Sequence, residues 1–284
     1  MSKGNVREAT CRLNLGLYRG EVGAEYDDPL FVDAIAHPEE LWARPEARLL
    51  IDKRNRVGTV QIVLSSGLKR DIVVKEFSGR GVTRLKSLVQ PSKAARAWRG
   101  ALALRERGLG TALPAGYLEK RRRGLVERSF FFAARIDGAE EIRGLFRSLP
   151  ASNLEQLLSA LAGFLSQCHD RGILHRDLSD GNILSDGNIL VKKDDTGRPL
   201  FYLLDTNRIH IRKKLGGFRR SKNLIRLGVP LAFQRYFLKR YFGENPLRKW
   251  HWSWYRINKV VFAGYVGFKK KLRLRQIARF LRIQ

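Results

Sequence analysis

The sequence predicts an α+β fold in two parts: a small antiparallel sheet carrying one long helix, then a mainly helical half. Three observations lead there. Between Leu49 and Ile136, β-branched runs alternate with turn residues around a single helical interval. From Leu154 to Cys168, leucine recurs at helical spacing. Beyond Thr206 the chain turns aromatic, basic and mostly helical. With 284 residues, 44% of them hydrophobic, the chain can bury one or two real cores. A disordered chain and a disulfide-held peptide are therefore excluded. The two isolated cysteines, Cys11 and Cys168, also exclude a thiolate zinc site and fit a reducing cytosol.

Residues 1–46 read as an extension ahead of the main fold. Within it, Asp28 caps a short helix that begins at Pro29 and turns Leu30, Ala34 and Ile35 to one side. The opening MSKGNVREAT lacks the apolar run of a secretory signal. Arg56–Leu64 and Asp71–Phe77 are β-branched strands about a Ser65-Ser66-Gly67 turn. Ser92–Arg107 is a helix stopped by Gly108, with Ala95, Trp98 and Leu102 on one face. Leu113–Leu118 and Arg128–Ile136 are two more strands, and Gly138 marks the boundary between the halves. The second half opens on the capping-box sequence Ser152-Asn153-Leu154-Glu155, and Gly172 lies past the end of its helix. A six-residue tandem follows, Ser179–Leu184 and then Ser185–Leu190, too short for a solenoid. Its second copy reads as a hairpin turn with Asp186-Gly187 at the tip.

The most specific signal is His175-Arg176-Asp177-Leu178-Ser179-Asp180-Gly181-Asn182, an H-R-D-x-x-x-x-N pattern after a helix and a short strand. Phosphoryl transfer needs this spacing. The aspartate orients the attacking hydroxyl and accepts its proton, and the asparagine reaches a magnesium ion on the nucleotide phosphates. The tandem offers Asn188 as a rival, but only Asn182 stands five positions after Asp177. Next, the apolar strand Phe201–Leu204 delivers Asp205 at its end, where a second metal ligand belongs; Thr206-Asn207 follows it. Third, Lys75 ends the apolar run Ile72-Val73-Val74 and shares a strand face with Val73 and Phe77, placed to contact phosphates.

Together these residues resemble the protein-kinase-like superfamily and, within it, the bacterial lipopolysaccharide kinases, which phosphorylate Kdo or heptose of the inner core. Trp98–Pro114, Leu203–Arg208, Arg219–Leu224 and Arg235–Tyr241 are similar to segments of that branch. The resemblance implies a bilobal protein-kinase-like fold, with an N-lobe over 47–137 and a C-lobe over 138–284. It also implies ATP and Mg2+ as cofactors. Asp177 and Lys75 are then catalytic, Lys75, Gly58, Ala134 and Ile136 meet the nucleotide, and Asn182 and Asp205 hold the metal. Departures are visible too. There is no Gly-x-Gly-x-x-Gly loop, Ala97 stands where a glutamate partner for Lys75 is sought, and Glu76 points to the strand face opposite Lys75. Nor does an Ala-Pro-Glu segment follow Asp205, which favours a carbohydrate kinase over a switched protein kinase.

Charge supplies the last clue. The chain carries 55 basic and 27 acidic residues, a net +28. Residues 206–284 hold 22 of the lysines and arginines and one acid, Glu244, a local +21. So one-sided a tail points to a polyanionic partner: an anionic membrane surface or a phosphorylated glycolipid such as lipopolysaccharide, ahead of nucleic acid. Trp250-His251-Trp252-Ser253-Trp254-Tyr255 and the basic, amphipathic end from Lys269 suit a headgroup interface, though the tryptophans equally suit a core. The longest apolar-leaning stretch there, Val260–Phe268, falls far short of the ~20 residues of a membrane span. The expectation is a cytoplasmic enzyme lying peripherally on the inner face of the cytoplasmic membrane. Two alternatives stay open: a kinase for a protein or a soluble small molecule, and a weakly active kinase-like protein that binds anionic membrane or RNA.

Overall fold

The computed structural model describes residues 9–52, 55–79, 81–178 and 187–271. The chain divides into two compact units: residues up to Gly108 with Ala112–Asp137, and Leu109–Thr111 with the chain from Gly138 onward.

The first unit is a seven-stranded antiparallel sheet with a helix on each face. Its strands are β1 (Thr10–Leu15), β2 (Tyr18–Gly23), β3 (Arg48–Asp52), β4 (Asn55–Val63), β5 (Lys69–Ser78), β6 (Pro114–Arg122) and β7 (Leu125–Ala134). They lie in the order β1-β2-β6-β7-β5-β4-β3. The helices are α1 (Pro29–Ala36), the single turn α2 (Val82–Leu85) and α3 (Lys93–Arg105). Residues 9–46 are thus part of this unit rather than an extension ahead of it. β1 and β2 extend the sheet beyond β6, and Tyr18, Val22, Phe31 and Ile35 belong to its larger core. Cys11, Leu13 and Leu15 alternate with polar residues along β1 and pack against that core, a period-two signal present in the sequence.

Period-two alternation sorts the side chains between faces. Val60, Ile62, Ile72, Val74, Phe130 and Phe132 point to the side of α1, while Phe77 and Tyr117 point to α3 and meet Ala94, Ala95 and Trp98. Helix α3 begins as the sequence indicates. The Ser92 side chain accepts from Ala95 N at 3.0 Å, and Gly108 follows the helix at φ 61°. Asp28 likewise caps α1, accepting from Leu30 N and Phe31 N.

The second unit contains β8 (Glu140–Glu141), α4 (Ile142–Ser148), α5 (Ala151–Asp170), β9 (Ile173–His175), β10 (Ile189–Lys193), β11 (Pro199–Leu203), β12 (Ile209–Ile211), α6 (Gly217–Leu224), α7 (Gln234–Phe242) and α8 (Lys249–Lys271). Helix α5 buries the leucine stripe Leu154, Leu157, Leu158, Leu161 and Leu165 together with Cys168. Each fully buried leucine contributes about 1.5–3 kcal/mol. The capping box is displaced: Pro150 is the N-cap and Ser152 already lies inside the helix. Asp186 falls outside the described residues. The hairpin observed, β10–β11, turns at Asp194–Gly197, where Asp194 accepts from the backbone of Thr196 and Arg198.

Candidate active site

Lys75 stands mid-strand in the first unit. A single cross-strand row runs Val57, Lys75, Phe131, Tyr117, Glu21, so these five side chains share the face of α3. Beside the row lie Val73 and its partner Ala133. The Lys75 Nζ sits 5.8 Å from the Phe77 ring centroid. Helix α3 contains no acidic residue, so it offers Lys75 no carboxylate. Glu21 is the acid on this row, about 14 Å away at ordinary strand spacing. It is engaged by Trp98 Nε1 at 3.1 Å and the Tyr117 hydroxyl at 3.2 Å. Glu76 does face the other way, where its carboxylate accepts from Trp42 Nε1 at 3.0 Å.

Two of the residues expected to meet the nucleotide lie on the sheet face opposite Lys75. Gly58 pairs with Val74, and a Cβ there would sit 2.6 Å from Arg48 O and 2.8 Å from the Trp42 ring. Its smallness is a packing requirement of the α1 side. Ala134 pairs with Ile72 and packs into that same core, so Ala133 takes the place on the Lys75 face. A register shift of one residue exchanges the faces of a strand, and the sequence does not mark it. Ile136 follows β7 and is partly buried.

The second unit brings Asp177 and Asp205 under common control. His175, buried at the end of β9, donates from Nε2 to Leu204 O at 2.8 Å and accepts from Asp177 N on Nδ1 at 3.3 Å. One neutral imidazole therefore ties the residue before Asp205 to the backbone of Asp177. Burial lowers the His175 pKa, which keeps the ring in the neutral form these two bonds require. Asn188, the rival asparagine, braces the same loop by donating to Asp177 O at 2.8 Å. A further chain approaches from behind. The Tyr241 hydroxyl meets His169 Nδ1, His169 Nε2 meets Asn223 Oδ1 at 2.9 Å, and Asn223 Nδ2 donates to His175 O at 2.7 Å. His169 is buried, and desolvation pushes its pKa down to about 4.

Asp205 lies just past β11 with φ 51°, a left-handed conformation that aspartate tolerates better than most residues. With its amide set to donate, Asn207 reaches Asp205 Oδ1 at 2.6 Å; Arg208 Nε lies 3.5 Å from Oδ2. The strand itself is held from Leu109–Thr111. Leu203 N donates to Gly110 O at 2.9 Å and Thr111 Oγ1 donates to Leu203 O at 2.9 Å. Gly110 approaches so closely that a Cβ would lie 1.9 Å from Phe201 O.

The donor chemistry fits magnesium, a hard ion that takes one or two carboxylates and completes its shell with water and phosphate oxygens. Among the described residues there is no cluster of three or more acidic, histidine or cysteine side chains able to hold a metal. Asn182 lies outside the described residues. Arg226, which the sequence did not single out, forms an ion pair with Asp177 Oδ1.

A family model described as "Lipopolysaccharide kinase (Kdo/WaaP) family" matches residues 53–245. The chain belongs to that family. It is accordingly a phosphotransferase with a sugar hydroxyl as acceptor, a kinase of lipopolysaccharide core sugars. Among solved structures, WaaP in complex with acyl carrier protein superposes with a TM-score of 0.55 at 18% identity, covering 78% of this chain and 90% of that one. This likeness carries the kinase-like fold. Two others match less well: the gentamicin–APH(2")-IIa complex, with a TM-score of 0.49, 13% identity and coverage of 89% and 96%, and the Rio2 kinase–ADP/Mg2+–phosphoaspartate complex from Chaetomium thermophilum, with 0.46, 14%, 88% and 70%. No curated protein matches the sequence.

Tail aromatics largely serve packing. Phe218 contacts the rings of Trp250 and Trp254, His251 stacks on Phe242 at 3.7 Å, and Tyr255 is fully buried. The opposite side of α8 differs. Ile257, Val260, Val261, Tyr265 and Phe268 are each more than half exposed at i, i+3, i+4, i+8, i+11. No described helix is long and apolar enough to cross a membrane.

Proposed function

We propose that this kinase transfers the γ-phosphoryl group of ATP to a hydroxyl of Kdo or heptose in the lipopolysaccharide inner core. The observation that carries the reading is the His175 bridge, which ties the backbones on which Asp177 and Asp205 are mounted. Asp177 orients the acceptor hydroxyl and takes its proton. Lys75 holds the phosphates, and Val57, Val73, Ala133 and the backbone of Ile136 receive the nucleotide. Asp205 and Asn182 hold Mg2+, which when bound neutralises charge on the phosphates. The protein's part is then mainly positioning. Radiolabelled ATP offered with lipopolysaccharide, a protein mixture and soluble aminoglycosides tests the acceptor. Label should enter lipopolysaccharide; label in protein or aminoglycoside alone would replace this reading.

The acceptor is lipid-borne, so the enzyme has to meet it at a surface. The apolar stripe of α8 and the +21 charge of residues 206–284 support attachment to the inner face of the cytoplasmic membrane. Each well-placed cation adds about 1 kcal/mol at an anionic leaflet. Replacing Lys269, Lys270, Lys271, Arg273 and Arg275 with Gln should lower retention on acidic vesicles by orders of magnitude and leave ATP affinity unchanged. Preference for RNA over vesicles of equal charge, with glycolipid phosphorylation intact in the variant, would overturn the membrane site.

A further inference from the structure

Arg226 stands just beyond α6, and its guanidinium reaches Asp177 Oδ1 although the two residues are 49 positions apart. It is not an incidental surface pair. The guanidinium lies 5.3 Å from the ring centroid of Phe262 on α8, and the next residue, Leu227, accepts at its carbonyl from Lys259 Nζ at 2.8 Å. Helix α8 thus clamps both the side chain and the backbone of this turn. At the same time the Arg226 side chain keeps 39% of its surface exposed, and Asp177 keeps 33%. A guanidinium has five N–H donors, and the Asp177 pair uses only the edge at Nη1. The rest of the fork remains beside the carboxylate at which the acceptor hydroxyl is activated.

In phosphoryl transfer the moving group carries its negative charge spread over three equatorial oxygens, next to that same hydroxyl. A carboxylate at this point helps the nucleophile and repels the phosphoryl group. A cation touching the carboxylate offsets the repulsion and can donate to the phosphoryl oxygens directly. The H-R-D-x-x-x-x-N segment itself supplies no basic residue between Asp177 and Asn182; Leu178-Ser179-Asp180-Gly181 stands there. We propose that Arg226 is a catalytic residue, the arginine that binds the transferring phosphoryl group at Asp177, with Phe262 holding it in place. In the step, a bond forms between the acceptor oxygen and the γ-phosphorus, and the bond from that phosphorus to the β–γ bridging oxygen breaks. The hydroxyl proton passes to Asp177, and ADP leaves. Arg226 shifts its spare N–H groups onto the phosphoryl oxygens as the group moves to the acceptor. This rests on the proposed ATP-dependent transfer.

The test compares binding of Mg-ADP with binding of Mg-ADP plus fluoroaluminate, a mimic of the transferring phosphoryl group. Arg226→Gln should leave Mg-ADP affinity within about twofold and weaken the fluoroaluminate complex about 10²–10³-fold, the range for losing one transition-state donor. Arg226→Lys should recover part of the loss. Phe262→Ala should show a smaller loss of the same kind. Unaltered fluoroaluminate affinity in a folded Arg226→Gln protein, checked by its melting curve, would overturn the proposal and leave Arg226 as a brace for Asp177. Failure of the wild-type protein to bind Mg-ADP would instead strike the underlying reading, and the proposal with it.

Discussion

Lys75 and Asp177 are held in opposite ways. Lys75 rides on a sheet in which every neighbour repeats the same bond, with Val57 on one side and Phe131 on the other fixing its face. Among the described residues, Asp177 is held by three different restraints: His175 on its N–H, Asn188 on its carbonyl, Arg226 on its carboxylate. A sheet spreads a local disturbance over many equivalent bonds, whereas these three are not interchangeable. The Asp177 loop should therefore respond to loss of a single partner more sharply than the strand that carries Lys75.

The largest effect expected around the Asp205 strand comes at Gly110. Alanine there meets Phe201 O at 1.9 Å, so β11 has to move, and Asp205 with it. The cost should reach about 3 kcal/mol or more, since neither partner is a flexible side chain. Phosphoryl transfer should fall with it. Gly144→Ala in α4, where nothing lies within 4 Å, should be neutral or stabilise by about 0.5–1 kcal/mol. Thermal melting and initial rates compare the two, and equal melting temperatures would remove the distinction between braced and open positions.

Acid should expose the same contrast more gently. His169 and His175 have native pKa values below the unfolded value of 6.5, that of His169 falling to about 4. Unfolding then takes up protons below pH 6.5. Stability is full above that pH and is lost as pH falls towards the native values, by up to about 1.4 kcal/mol per pH unit for each histidine. His169→Gln should flatten part of this slope between pH 6.5 and about 4 in denaturant titrations. A slope unchanged by that substitution would mean that other groups carry the acid response.

What was legible in the sequence follows the same division. β-Branched runs about a Ser65-Ser66-Gly67 turn located β4 and β5, and helical leucine spacing located α5, because these patterns are local. The Asp177 and Asp205 segments were legible because the chemistry needs contiguous residues. Their braces were not. Asn223 and Arg226 come from α6 and the turn after it, and Gly110 comes from before β6, so tertiary structure alone unites them with the loop. The strands at residues 10–23 went unread although Cys11, Leu13 and Leu15 alternate with polar residues, and that Gly58 and Ala134 face away from Lys75 depends on a register that composition does not mark.

The central claim is that Asp177 activates the sugar hydroxyl for attack on ATP. It is tested most directly by mass analysis of lipopolysaccharide core after incubation with Mg-ATP and either the wild-type enzyme or Asp177→Asn. The account predicts one added phosphoryl group on a Kdo or heptose residue with the wild type. With Asp177→Asn, kcat should fall by about 10²–10⁴ while ATP affinity stays nearly constant. Full transfer by the variant, or loss of ATP binding without loss of chemistry, would contradict it.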